Sequence, residues 1–277
     1  MTSFKKVACI LLVSLGVLLA VAALAASSAC GNTIKSLRAR DQLNKGVNAF
    51  KNGMHPQAVE HFKQAVDMDP GFLTARLYLA TAYMSQYVPG AESEENQRNA
   101  DAAMKGFLEV LDRDNKNALA VESIGSLCFN QKKLDDAKKW YLKLIDLDKQ
   151  NKQAYYTVGV INWTKSYTPR MEARARTGMK PEEPGPIKDK KARETLKEQS
   201  QTIVQEGIDM LQRALEIDPE YDDAMAYMNL LFREKADIAE TVEENKSCIA
   251  QAEQWVQKTL ETKKKKKGEG ALAASKG

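Results

Sequence analysis

A pattern of small and apolar residues recurs in this chain with a unit length of 34 positions, and it limits the possible folds more than any other feature. Residues 118–151, ALAVESIGSLCFNQKKLDDAKKWYLKLIDLDKQN, show the unit most cleanly. Val121, Ile124, Gly125 and Cys128 fall at steps of one to three in its first half; Ala137, Trp140, Tyr141, Leu144 and Ile145 do the same in its second. Such spacing gathers apolar side chains on one helical face. The Gln-Lys-Lys-Leu stretch between the halves is long enough only to reverse direction, so an antiparallel helix pair is predicted. Two helices of this length cannot bury both apolar faces alone, and copies of the unit must stack beside them.

Residues 39–72 repeat the pattern without a gap: Gly46 falls at position 8, Gly53 at 15, Ala58 at 20, Phe62 at 24, Ala65 at 27 and Pro70 at 32. The arrangement resembles the tetratricopeptide repeat (TPR), with small residues at 8 and 20, a bulky one at 24, Ala at 27 and Pro at 32. Small residues allow two helices to approach closely, and Pro past a helix end stops it. The resemblance implies an all-α fold, a right-handed superhelical array of antiparallel helix hairpins. It extends over repeats 39–72, 73–117, 118–151 and 152–221, with capping helices at 222–262.

Two repeats are enlarged. Repeat two has Leu79 and Ala80 at 7 and 8, but Ala103, Phe107 and Val110 reach 20, 24 and 27 only after 11 extra residues. Pro89-Gly90 turns the chain there, and Ser93 before Glu94 and Glu95 reads as a helix N-cap with an acidic first turn. Repeat four has Val158 and Gly159 at 7 and 8, then Gly207, Leu211, Ala214 and Pro219 after 36 extra residues. Within that insertion TPRMEARARTGMKPEEPGP is expected to be a mobile loop, because prolines and glycines interrupt it. Helical spacing resumes from Lys188. A terminal helix over about 237–262 suits a cap, and the Lys-rich segment 263–277 is expected to be disordered.

The N-terminus reads as a targeting segment. Lys5 and Lys6 precede an uncharged run from Val7 to Ala26, long enough to span a bilayer core, and small residues precede Cys30. The junction is similar to a bacterial lipobox, although Ser27 stands where that motif usually has Leu. Three outcomes remain open: lipidation at Cys30, cleavage near Ala25 or Ala29, or an uncleaved anchor. Each places the repeats outside the cytoplasm, at a bacterial cell envelope facing the periplasm or exterior. Residues 31–38 read as a tether. Of the remaining cysteines, Cys128 and Cys248 read as two separate buried side chains.

Charge is unevenly distributed. The net charge is +4, but 164–199 holds ten Lys/Arg against six Asp/Glu, and 263–277 holds six against one. The rest of the chain is therefore acidic, at −5, which argues against a nucleic-acid groove. His55 and His61 have no ligand-spaced partners, so no metal is expected. No phosphate loop, nucleophile elbow or zinc-protease motif is present, so neither an enzyme nor a cofactor is predicted.

In TPR proteins, positions 5, 9 and 12 of the first helix tend to face the concave groove. The resemblance thus nominates Leu43, Val47, Phe50, Leu77, Met84, Phe129, Tyr156, Val160 and Trp163 as a partner-binding groove. Thr81, Glu122 and Ser126 hold the other positions. Such a stripe suits an apolar peptide or an amphipathic helix of a protein partner. The carboxylate-clamp subtype, which grips acidic chaperone tails, is absent: Leu43, Val47, Tyr78, Leu119 and Ser123 replace its polar and basic residues. An alternative partner is an anionic polymer or lipid, met by the basic insert 164–199.

Overall fold

Small residues at positions 8 and 20 set how closely each helix pair packs, and the computed structural model shows that closeness in every repeat. It describes residues 33–180, 183 and 185–274, and divides the chain between Asn115 and Lys116 into two units. The signal-like segment 1–30, with Cys30, lies outside the described residues.

The first unit holds α1 (33–51), α2 (His55–Met68), α3 (Leu73–Gln86) and α4 (Glu94–Leu111). The expected tether is helical from residue 33 and continues into α1. Asn52 and Gly53, the latter at φ +73°, turn α1 into α2, with Pro56 in the first turn of α2. Gly46 lies flat against the Phe62 ring: a Cβ there would stand 2.5 Å from Cδ1 and Cε1. Ala58, Phe62, Ala65, Ala103, Phe107 and Val110 are fully buried, as their repeat positions require.

The insertion of repeat two is partly turn and partly added helix. Ser93 caps α4 by accepting from the Asn96 amide at 3.2 Å. The Asn96 side chain then organises the turn before it. Its Oδ1 accepts from Val88 N at 2.7 Å, and its Nδ2 donates to the carbonyls of Val88 and Ala91, both at 2.8 Å. Three backbone groups of the turn are thereby satisfied by one buried amide.

The second unit holds α5 (Ala118–Asn130), α6 (Leu134–Leu147), α7 (Lys152–Arg176), α8 (Lys190–Ile217), α9 (Asp222–Asp237) and α10 (Val242–Ala274). Asn117, Asn151 and Asp189 cap α5, α7 and α8. Ala137, Leu144, Leu211 and Ala214 are essentially inaccessible. Cys128 and Cys248 are both buried free thiols. Thr241 and Glu244 form a reciprocal capping box at the start of α10: Glu244 N donates to Thr241 Oγ1 at 3.1 Å, and Glu244 Oε2 accepts from Thr241 N at 3.3 Å.

Two expectations of this region are corrected. The first half of the supposed mobile loop is helix, since α7 continues through Pro169 to Arg176. Proline removes one backbone donor, but buried ion pairs farther along hold the extension. Arg174, 1% exposed, places Nη1 2.7 Å from both carboxylate oxygens of Asp237, and Arg170 Nε donates to Asp237 at 2.5 Å. Arg174 also donates to the carbonyls of Lys180 and Glu183, and Ile187 is sealed among Ala173, Leu196 and Ile238. The Lys-rich tail is likewise helical through Ala274, and Lys263, Lys265 and Lys266 pair with Asp222 and Glu220 beside α9.

Candidate partner-binding face

The nominated groove residues divide by role. In the first unit, Leu43, Val47 and Phe50 pack partly buried against a cluster of Ala49, Ala58, Phe62 and Ala82. The Phe50 ring also meets His55 edge-on, with centroids 5.0 Å apart. These three side chains therefore close the packing between hairpins. Leu77 and Met84 on α3 are half-buried.

In the second unit, Phe129 is half-buried on α5, and Val160 is 8% exposed on α7. Tyr156 and Trp163 are brought together by a residue that lies outside repeat positions 5, 9 and 12. Tyr227 of α9 stands between them, 5.6 Å from Tyr156 and 5.4 Å from Trp163, nearly perpendicular to each ring. Tyr221 adds a ring 5.1 Å from Tyr156, and Tyr167 adds another 5.2 Å from Trp163. Five aromatic side chains thus form one continuous row along α7 and the beginning of α9. Edge-to-face and tilted contacts at these distances are favourable for the ring quadrupoles. Tyr156, Trp163, Tyr221 and Tyr227 are half-buried, and Tyr167 is 41% exposed.

The row lies in a negative field. Burial first, and then nearby carboxylates led by Asp223, push the Tyr221 phenol up to about 12. Burial followed by Tyr227 and Asp223 raises Tyr156 further, and burial with Asp223 raises Tyr227. All three phenols hence remain protonated at neutral pH and present hydroxyl groups. At one end of the row Lys152 places its ammonium 5.2 Å from the Tyr221 ring centroid while donating to Asp218 at 2.5 Å. Asp223 is exposed and forms no ion pair among the described residues.

Repeat periodicity locates α7, but Tyr221 is the last residue of the enlarged repeat four and Tyr227 belongs to the cap, where the 34-residue pattern fails. Their aromatic character was the available signal. The cationic insert fares differently. Lys165, Arg170, Arg174, Arg176, Lys188, Lys190 and Lys197 each pair with a carboxylate. Four of those carboxylates, Asp135, Glu234, Asp237 and Glu240, come from outside 164–199 and offset much of its excess of positive charge. Among the described residues no group of three or more His, Cys, Asp or Glu side chains could hold a metal ion, and no helix is long and apolar enough to cross a membrane.

Comparison with known proteins agrees with this architecture. Two tetratricopeptide repeat models match, at residues 43–86 and 120–151. A sequence search of curated proteins finds no match. Among solved structures, a MamA protein superposes with a TM-score of 0.56 at 16% identity, covering 83% of this chain and 94% of that one. MamA 41-end from Desulfovibrio magneticus RS-1 gives 0.55 at 14% identity, covering 82% and 96%. YrrB, described as a TPR protein with an unusual peptide-binding site, gives 0.50 at 12% identity, covering 80% and 90%.

Proposed function

Because the chain is a tetratricopeptide-repeat protein, we propose that it is a non-catalytic scaffold that binds a peptide or helix segment of a partner protein. The observation that carries this reading is the aromatic row on α7 and α9, where rings remain partly exposed. Half-buried aromatic side chains offer large contact areas at low entropic cost, which suits anchoring of a partner segment. A fold of this kind can carry a peptide-binding site, as in YrrB.

Capture experiments test the reading. Full-length tagged protein, solubilised in detergent and crosslinked to its neighbours, should retain a partner set that falls away with Trp163→Ser or Tyr227→Ser. An unchanged set with both variants would place docking elsewhere. The anionic-polymer alternative has less support, since the positive excess of 164–199 is met by carboxylates of the same chain.

We also propose that segment 1–30 exports the repeats to a bacterial envelope, either as a lipoprotein modified at Cys30 or through an uncleaved anchor. Support comes from the lysines, uncharged run and small residues in that order. Mass spectrometry of the mature N-terminus should show a lipidated Cys30 or a retained segment in the membrane fraction; an unmodified Met1 in a cytosolic fraction would overturn export.

A further inference from the structure

We propose that the aromatic row is a seat for a cationic side chain, so that the partner segment is one in which arginine or lysine lies among apolar residues. The inference rests on the second unit being a docking face and names the chemistry that face selects. Tyr227 stands nearly perpendicular to both Tyr156 and Trp163, so partly exposed rings from two helices meet at right angles. Ring faces carry negative quadrupole density and attract ammonium or guanidinium groups within about 6 Å of a centroid. Asp223 supplies the complementary full charge: it acts on Tyr156, Tyr221 and Tyr227 together, and no cation of the described chain pairs with it.

The chain already contains a version of this arrangement. At the neighbouring end of the row, Lys152 lies over the Tyr221 ring and bonds Asp218. The acids next to Asp223 are likewise occupied by lysines of the chain, Asp222 by Lys263 and Lys266, and Glu220 by Lys265. Asp223 is the member of this group left to an outside cation. An acidic partner segment would meet repulsion there, and a purely apolar one would leave the carboxylate without a counter-charge.

The probes are two fluorescein-labelled twelve-residue peptides, one of alternating Leu and Arg and one of alternating Leu and Gln. Each is titrated by anisotropy against the full-length protein in detergent at 150 mM salt. The cation seat requires tighter binding of the Arg peptide, lost roughly 5- to 30-fold on Tyr227→Leu, and a loss on Asp223→Asn that shrinks at high salt. Tyr227→Phe keeps the ring and should retain the affinity, which separates lost recognition from lost folding. If Tyr227→Leu weakens both peptides equally while Asp223→Asn changes neither, the cation seat is overturned and the docking face stands. If the Arg peptide binds but neither variant weakens it, its attraction belongs to the acidic surface at large, and the seat is overturned. If neither peptide binds, the seat is overturned and the docking face loses its support as well.

Discussion

Gly46 and Gly125 occupy the same repeat position but tolerate enlargement differently. An added Cβ at Gly46 would lie 2.5 Å from two atoms of the fully buried Phe62 ring, whereas at Gly125 it would lie 3.0 Å from Tyr141 Cε2 and 3.3 Å from Trp140 Cβ. Alanine favours a helix over glycine by about 1 kcal/mol, and overpacking costs about 1–3 kcal/mol. Gly46→Ala should therefore destabilise, while Gly125→Ala should be close to neutral, as urea unfolding of the two variants would report. Glu234 sets a pH dependence of its own. Its burial outweighs the attraction of Arg170 and pushes its carboxyl up to about 7. The folded state thus keeps a proton that the unfolded state releases, so this contribution is present at pH 4.5 and lost as pH rises towards 7. The loss is about 3 kcal/mol at most. Between pH 5 and 7.5, Glu234→Gln should flatten the decline in urea stability. Asp135, Glu183, Asp218, Asp222 and Glu240 have lowered values and act below that window, with the opposite sign.

At the scale of elements, local spacing was informative where the bonds themselves are local. The Ser93 cap and the helix following it were legible because the cap, the acidic first turn and the apolar face all lie within a few residues. The extension of α7 was not legible. It depends on partners 63 and 67 positions away, Arg174 and Arg170 with Asp237, and a Pro-containing stretch gives no sign of them. The turn after α7 depends on the same guanidinium through Lys180 and Glu183 carbonyls. Breaking a buried pair leaves a charge poorly compensated and costs about 3–5 kcal/mol. Arg174→Met should accordingly expose the Ile187 amide, which donates to the Asp237 carbonyl at 3.1 Å. Hydrogen exchange should accelerate there while α5 and α6 keep their protection. Equal acceleration in all three elements would mean that the extension is not a separable part of the fold.

Across the whole molecule, the repeat register predicted which residues would be buried at positions 8, 20, 24 and 27, but it could not assign purpose at position 12. Phe50 closes a joint in the first unit, while Trp163 belongs to an aromatic row in the second, and the difference arises from Tyr227 outside the repeating pattern. Charge shows the same division between what composition tells and what partners decide. The lysines of 263–277 look like a free cationic tail, yet three of them meet Asp222 and Glu220, and the segment stays helical to Ala274. The lysines of these pairs are exposed, and pairs with an exposed partner add little to stability in salt. Their main effect is on total charge. Truncation after Thr262 removes six lysines and one glutamate, taking the net charge from +4 to −1. The shortened chain should lose retention on a cation exchanger at neutral pH while its urea midpoint changes little. A large fall in that midpoint would instead make the lysine contacts with α9 part of what holds the cap in place.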